Sequence, residues 1–211
     1  MNETQIKILD AAESEVADCG FAGASIRNIT QRAGVNIASI NYHFGSKEEL
    51  IKQLFIYRIT PLNDQRLSML RQAQEETVDG LVPVTELVDI LVRPAVAKLM
   101  SKDGRRFAQA IARCMSEPLD FMCELDEEIF QEVFQTFLLA FQKALPELDM
   151  AVILNKMHFI ICSMVGFMMH FPRMDRFVGR DMTGSDFDQL LDQYIDFIAT
   201  GIESAPMHVT Q

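Results

Sequence analysis

The sequence predicts an all-α protein in which a group of three short helices is followed by a larger helical bundle. Apolar residues recur every three or four positions along most of the chain, which is the pattern of an α-helix with one buried face. No segment shows the sustained alternation of apolar and polar residues that marks a half-buried strand. The 211 residues are 49% hydrophobic and 23% charged, a composition typical of globular domains rather than of disordered chains.

The first predicted helix covers residues 3–19 and ends at Gly20. Glycine is a suitable terminator because it adopts the left-handed conformation without a steric penalty. The apolar positions that define the buried face of this helix lie three or four residues apart: Ile6, Leu9, Ala12, Val16 and Cys19.

The second and third helices are joined by a turn of three residues, 33–35. Ser25 caps the second helix, which Gly34 ends, and Asn36 caps the third, which runs to about His43. Two short helices joined by a tight, glycine-containing turn form a helix-turn-helix, in which the second helix is presented outward.

The fourth helix is predicted to start at a capping box formed by Ser46 and Glu49. In this motif the two side chains satisfy two backbone donors reciprocally. The apolar residues of the helix continue to Thr60, where Pro61 either ends the helix or kinks it before a helical pattern resumes over residues 62–76.

Five further helices follow, separated mainly by glycine and proline signals and by a loop from Pro172 to Ser185. They are predicted at about Thr85–Met100, Arg105–Met115, Glu124–Ala144, Ala151–Phe171 and Asp186–Glu203.

The net charge of −11 is distributed unevenly. Residues 1–60 hold six Lys/Arg and seven Asp/Glu, whereas residues 61–211 hold 13 and 23. The first part is therefore nearly neutral, and the local placement of its charges, not the overall balance, decides whether it binds nucleic acid.

The third helix and its flanks carry the residue types that bind DNA. An α-helix fits the major groove, where its first turns meet base edges while flanking groups contact phosphates. Lys47 lies at the positive end of the fourth helix, which suits a cation only if an anion such as phosphate is close. The other candidates are polar Asn36, Ser39 and Asn41, Ile37 and Ala38 for a thymine methyl group, Tyr42 and His43 for phosphates, and Arg27 for a phosphate or base edge.

The sequence resembles the DNA-binding domain of TetR-family transcriptional regulators in two segments, Ser25-Ile-Arg-Asn-Ile-Thr-Gln-Arg-Ala-Gly-Val and Ile40-Asn-Tyr-His-Phe-Gly-Ser-Lys-Glu-Glu-Leu. The resemblance covers residues 3 to about 55. It implies a homodimeric repressor that a hydrophobic effector releases from a palindromic DNA operator. It also implies base contacts from Arg27, Ile37, Ala38 and Asn41 and phosphate contacts from Ser25, Asn36, Ser39, Tyr42, His43 and Lys47.

Two details of the resemblance bear on specificity. Many members have Tyr where this chain has Asn41, and an amide at this position can hydrogen-bond adenine. The operator sequence is therefore expected to differ from that of such members.

The segments Val35–Phe44 and Met157–Ile161 resemble the branch of repressors that respond to fatty acids or their coenzyme A esters, which implies a fatty acyl effector.

The predicted domain boundary lies at Thr60. Residues 1–60 are expected to form a helix-turn-helix DNA-binding domain, and residues 61–211 an all-α effector-binding and dimerisation domain. Thirteen Met and fifteen Phe predict either an adaptable apolar pocket or a filled core, which periodicity does not distinguish. The candidate pocket residues are Phe107, Met115, Phe121, Met122, Phe130, Phe134, Phe137, Met164, Phe167 and Met168.

The helix over residues 151–171 is apolar nearly all round. This pattern predicts burial on more than one face, either within one subunit or also against a symmetry mate. Together with residues 186–203, it is the expected seam of four helices between two copies. The candidate interface residues are Ser163, Gly166, His170, Leu190, Leu191, Tyr194, Ile195 and Ile198.

Other classes of function find less support. The four cysteines form no CxxC pair and no signal peptide opens the chain, which predicts a reducing, cytoplasmic location. The apolar run 157–171 is short for a bilayer, and His158 and His170 are too far apart for a metal pair. No nucleophile has a base in sequence context, so neither an enzyme nor a cofactor is expected. The alternative to a regulator is a helical protein–protein adaptor without a small-molecule effector.

Overall fold

The computed structural model describes residues 1–101, 104–115, 120–178 and 185–204. All regular structure in these ranges is helical, and no strand occurs in them, as predicted. A one-turn 3-10 helix at Val78–Gly80 follows the fourth α-helix. The α-helices are α1 Glu3–Gly23, α2 Ile26–Ala33, α3 Ile37–His43, α4 Lys47–Glu76, α5 Val84–Met100, α6 Arg105–Met115, α7 Asp120–Ala144, α8 Met150–Val178 and α9 Ser185–Glu203.

The helix-turn-helix forms at the predicted residues. The Ser25 Oγ accepts a hydrogen bond from the Asn28 backbone N–H at 3.1 Å, and the Asn36 Oδ1 accepts one from the Ser39 N–H at 2.9 Å. Gly34 follows α2 in the left-handed conformation, with φ 67° and ψ 32°. Both predicted caps and the glycine turn between the two helices are therefore confirmed.

Helix α1 begins and ends with local signals of its own. Gln5 N–H donates to Asn2 Oδ1 and Asn2 N–H donates to Gln5 Oε1, both at 2.9 Å. This reciprocal capping box was not predicted, because its members are two amides rather than a hydroxyl and an acid. The predicted break at Gly20 is confirmed by its φ of 75°, and one further helical turn then extends α1 to Gly23.

The predicted capping box of α4 is only half formed. Ser46 Oγ accepts from the Glu49 N–H at 3.0 Å, as expected. The Ser46 N–H instead donates to the Phe44 carbonyl at 2.9 Å, and Glu49 Oε1 accepts from Gln53 Nε2 at 3.1 Å. The reciprocal bond does not form because each of its two groups has another partner.

Among the described residues, three prolines lie inside helices rather than at their ends: Pro61 in α4, Pro94 in α5 and Pro172 in α8. Helix α4 continues through Pro61, and α8 continues through Pro172 to Val178, so the predicted loop after residue 171 is wrong over its first part. The fixed φ of proline is helical, and the helix loses only a backbone hydrogen bond and some straightness. Helix α7 begins at Asp120, four residues before the predicted start at Glu124.

The chain divides into two compact units. Residues 1–63 and 98–131 form the first unit, and residues 64–97 and 132–211 form the second. The helix-turn-helix and α6 lie wholly in the first unit, whereas α4 contributes residues to both. The functional boundary at Thr60 stays a prediction.

The first unit is built on α1, which packs mainly against α6 and α2. Its aliphatic residues are removed almost completely from water, and burying each side chain contributes about 1.5–3 kcal/mol. Ile40 is the residue of α3 that enters this core, which fixes the helix by one face. The fully buried residues include Ile8, Leu9, Ile29, Ile40, Leu50 and Leu54.

The second unit has an apolar core that also contains a cation. Arg66 is only 4% exposed, and its Nη2 lies 3.6 Å from the Met164 Sδ. Burial lowers the pKa of the Arg66 guanidinium to about 10, so the group remains protonated at neutral pH. The largest apolar residues of this core are Leu70, Leu87, Phe137 and Phe141.

Helix α8 is more apolar over its first part than the sequence analysis allowed. Within Met150–His170, an 18-residue window has a mean hydropathy of 1.6, and the stretch is long enough to cross a membrane, by length and composition only. One such helix is weak evidence for a membrane protein, since the core helix of a soluble protein passes the same test. Only 22% of the residues in that 18-residue window are buried inside the protomer.

Candidate nucleic-acid interface

Helix α3 is held by its inner face and exposes the side chains predicted to meet DNA. Ile40 is 1% exposed, whereas Ile37 is 51% and Tyr42 84% exposed. Ala38 and Asn41 are exposed as well. The exposure of large apolar and aromatic side chains on this seven-residue helix indicates that α3 forms a binding surface.

The polar residues at the start of α3 position one another. The Ser39 hydroxyl donates to Asn36 Oδ1 at 3.1 Å, in addition to the cap that Asn36 makes with the Ser39 backbone. The Asn36 oxygen is therefore used, while its amide nitrogen has two hydrogens that suit a phosphate oxygen. At the other end of α3, the Tyr42 and His43 rings lie edge to face, with their centres 4.9 Å apart.

Lys47 has partners other than the predicted phosphate. Its Nζ donates to the Phe21 carbonyl at 2.9 Å and to the Ala24 carbonyl at 3.1 Å, and it lies 4.4 Å from the centre of the Phe21 ring. These carbonyls belong to the last turn of α1 and its C-cap, where a cation is favoured. Lys47 therefore ties the start of α4 to the end of α1.

We expect Lys47→Met to lower the melting temperature without changing the salt dependence of DNA binding. The variant loses two charge-assisted hydrogen bonds, which together are worth roughly 2 kcal/mol, while every phosphate contact is kept. The measurements are thermal unfolding and operator binding across a salt series. Lys52→Met is the matched control, because Lys52 forms more exposed ion pairs from the same helix. An unchanged melting temperature with a salt slope smaller by about one per protomer would restore the phosphate assignment.

The cations of residues 1–60, all of which the structure describes, are mostly committed to partners within the protein. Five of the six Lys/Arg contact an acid or a carbonyl. Arg27, on the exposed side of α2 close to its start, is the remaining one. The paired cations are Lys7 with Glu3, Arg32 with Glu15 and Asp18, Lys47 with two carbonyls, Lys52 with Glu48 and Glu124, and Arg58 with Asp10 and Glu13.

A chain of ion pairs connects α6 to the helix-turn-helix. Asp18 on α1 accepts from Arg106 of α6 at 2.8 Å and from Arg32 of α2 at 2.9 Å. The hydrogen bond from Arg32 is the main cause of a lowered pKa at Asp18. Glu15 extends the chain by accepting from Arg32 at 3.0 Å and from Asn28 at 2.7 Å. The position of α2 is thus tied to that of α6 through one face of α1.

A second set of polar contacts joins α4 to α1. Arg58 donates to Glu13 at 2.6 Å and to Asp10 at 2.8 Å. Burial raises the pKa of Glu13 despite the opposing effect of Arg58, because the carboxylate is almost wholly removed from water. These contacts hold α4 against α1. Replacing Arg58 would leave the Glu13 carboxylate buried without its cation.

Comparison with known proteins identifies the chain. The family model for the N-terminal domain of the bacterial regulatory proteins of the tetR family matches residues 8–54. A model for a tetracyclin repressor-like C-terminal domain matches residues 89–201, more than half of the chain. The chain belongs to the TetR family. It is therefore a member of a family of transcriptional regulators rather than of enzymes.

Relatives of known sequence or structure agree with this family. The probable HTH-type transcriptional regulator ArpR of Pseudomonas putida is 27% identical over 126 residues, which span 60% of this chain and 57% of that protein. The fatty acid degradation regulator FadR of Bacillus halodurans has the same fold, with a TM-score of 0.65 at 18% identity over 93% of this chain and 96% of that one. FadR of Bacillus subtilis, solved with stearoyl-CoA, has a TM-score of 0.64 at 16% identity over 94% and 97%.

The predicted pocket residues of this TetR-family chain lie in two different units. Phe107, in the first unit, is buried and meets the Phe55 ring at 5.5 Å, so it is part of the core there. Phe130 also lies in the first unit and is half-buried. In the second unit Phe137 and Met164 are buried, and Phe134, Phe167 and Met168 are half-buried. The side chains of Met115, Phe121 and Met122 lie outside the described residues.

The predicted interface residues divide by burial. Some are already covered within the protomer: Leu191, Ile195 and Ile198 are buried, and Tyr194 stacks on Phe167 at 4.6 Å and donates to Ser163 at 2.9 Å. Gly166 and Leu190 are half-buried, and His170 is exposed. The sequence analysis missed two neighbouring side chains left in water, Phe159 on α8 at 64% and Phe197 on α9 at 75% exposure. The spacing of apolar residues predicted a subunit contact on these two helices, but it did not indicate which side of each helix is exposed in the protomer.

Proposed function

We propose that this protein is a homodimeric transcriptional repressor that leaves a palindromic DNA operator when a fatty acyl effector binds. The observation that carries the proposal is the exposed side of α3. Ile37 and Tyr42 stand in water on a helix that Ile40 anchors from behind. Such a helix enters a major groove, where Ile37 and Ala38 meet thymine methyl groups and Asn41 hydrogen-bonds a base edge.

The backbone contacts follow from the same surface. Ser25, Asn36 and Ser39 lie at the starts of α2 and α3, where helix N-termini favour phosphate. Tyr42 and His43 extend this set at the far end of α3. Arg27 supplies the positive charge, because the other cations of residues 1–60 are held within the protein.

The dimer is proposed to form through the exposed side of α8 and α9. Phe159 and Phe197 border one groove between these helices and stand mostly in water. Gly166 and Gly201 are open, since a Cβ built on either would meet nothing within 4 Å. A second copy related by a twofold axis would cover this apolar surface, and two recognition helices would then meet the two half-sites of a palindrome.

The effector proposal is supported by two features. Structures with this fold include FadR regulators, one of them solved with stearoyl-CoA. In this chain, Arg66 places a protonated guanidinium among buried apolar residues of the second unit. It lies on α4, the helix whose first part belongs to the DNA-binding unit. An acyl chain with an acidic or thioester head group suits this combination and would act on α4 directly.

The test uses the purified protein and a palindromic fragment selected from the DNA upstream of its own gene. We expect long-chain fatty acids or acyl-coenzyme A esters to release the fragment and to raise the melting temperature. Arg66→Met should keep operator affinity and lose the release, whereas Arg71→Met, at an exposed position of the same helix, should behave as wild type.

The outcomes separate the parts of the proposal. No sequence-specific DNA binding would leave the adaptor alternative, and DNA binding without any response across the acyl series would remove the effector class alone. Transcription from the fragment in the presence of the protein tests the sign of regulation. We propose the cytoplasm as the location, because operator DNA is found there in bacteria.

A further inference from the structure

A histidine and a cysteine lie side by side on the exposed face of α8. His158 Nε2 is 3.4 Å from Cys162 Sγ, and both side chains are open to solvent. Cys162 follows His158 by four residues, so the sequence spacing already contains a signal for this pair, which the distance between His158 and His170 does not reveal. Residues four apart on a helix lie on one face, so both atoms point the same way.

The separation of the two atoms is close to that of two ligands on one metal ion. In a tetrahedral zinc site the metal lies about 2.0–2.1 Å from nitrogen and about 2.3 Å from sulfur, which places nitrogen and sulfur about 3.6 Å apart. The observed 3.4 Å needs only a small adjustment. The helix therefore holds two candidate ligands at nearly the separation that one metal ion requires.

The other half must come from elsewhere. Among the residues that the structure describes, no group of three or more His, Cys, Asp or Glu is placed to hold a metal within one chain. Phe159, which follows His158, belongs to the surface through which we propose that two copies associate. Across a twofold axis each copy presents the same residues, so a pair near the axis meets its own equivalent.

We propose that His158 and Cys162 of two copies together bind one zinc-type ion at the dimer interface. The inference rests on the proposed dimer surface of α8 and α9. Two nitrogens and two sulfurs in tetrahedral arrangement are typical of zinc. On binding, each Cys162 thiol releases its proton to water, and the two thiolates balance the charge of the ion. A neutral site of this kind can be buried between two subunits without an unpaired charge.

The test is a titration of the chelator-treated, full-length protein with cobalt(II), whose bonds to thiolate absorb in the near ultraviolet. We expect this absorption to saturate at one cobalt per dimer and to disappear when zinc is added. Cys162→Ser and His158→Asn should each abolish it. Cys19→Ser is the matched control, since Cys19 is another exposed cysteine, whose thiol donates to the Glu15 carbonyl, and it should leave the absorption unchanged.

The outcomes distinguish the metal site from the dimer on which it rests. If Phe197→Glu makes the protein monomeric but the wild-type dimer gives no thiolate absorption with cobalt, the metal site is overturned and the dimer surface stands. If Phe197→Glu leaves the dimer intact, both fail. Saturation at one cobalt per chain, or absorption that survives in Cys162→Ser, also overturns the shared site.

Discussion

Replacing Arg27 with alanine is expected to weaken operator binding about a thousandfold. Removing one charged contact costs about 2 kcal/mol in each half-site, and a dimer has two half-sites, so the total is about 4 kcal/mol. The effect is large because the other five cations of residues 1–60 already have partners within the protein. The plot of log affinity against log salt should become shallower by about 1.8, at about 0.9 for each phosphate that is no longer neutralised.

Two variants control this result, measured by fluorescence anisotropy over a salt series. Arg27→Lys keeps the charge, so it should keep most of the salt slope while losing any two-pronged contact with guanine. Lys7→Ala removes an exposed cation that pairs with Glu3 on α1, and it should change neither affinity nor slope. An unaltered slope in Arg27→Ala would show that cations other than Arg27 neutralise the phosphates.

The second large effect is expected from Phe197→Ala, which should raise the dissociation constant of the dimer about a thousandfold. Phe197 is 75% exposed in the protomer, so its replacement removes little from the core. A buried aromatic anchor at an interface is worth about 2 kcal/mol or more, and twofold symmetry includes it twice. Operator binding should fall in parallel at protein concentrations where the dimer dissociates.

Sedimentation velocity over a concentration series measures this constant, and Phe159→Ala should give a similar shift. Leu139→Ala is the matched control, because Leu139 is also a large apolar residue, 62% exposed, but lies on α7 of the same unit. It should leave the dimer intact. If Leu139→Ala dissociates the dimer and Phe197→Ala does not, the interface lies on α7 instead.

Prediction succeeded where the cause of a structure is local. The ends of α2 and α3 follow from the side chains of Ser25 and Asn36 and from the freedom of Gly34 to adopt a positive φ. The capping box at Ser46 was only half right, because Phe44 offers its carbonyl to the same N–H. Proline misled the prediction at position 172, where the surrounding helix outweighs the loss of one hydrogen bond.

Lys47 shows why a side chain's contacts within the protein escape the sequence. Its position at the start of a helix indicated an anion, but the last carbonyls of α1, 23 and 26 residues away, lie within its reach. Asp18 and Arg106 are likewise 88 residues apart in the chain and 2.8 Å apart in space. No spacing rule connects residues so distant, so the sequence analysis named neither pair.

The sequence by itself determined the helical class, the helix-turn-helix and the family, because periodicity, caps and turn glycines act over a few residues. Tertiary structure decided which groups remain available for partners. It paired five of the six cations of residues 1–60 and left Arg27, buried Ile195 and Ile198 while leaving Phe159 and Phe197 in water, and kept His158 and Cys162 open to solvent. The physical reason is that availability depends on what the rest of the chain has already covered or neutralised.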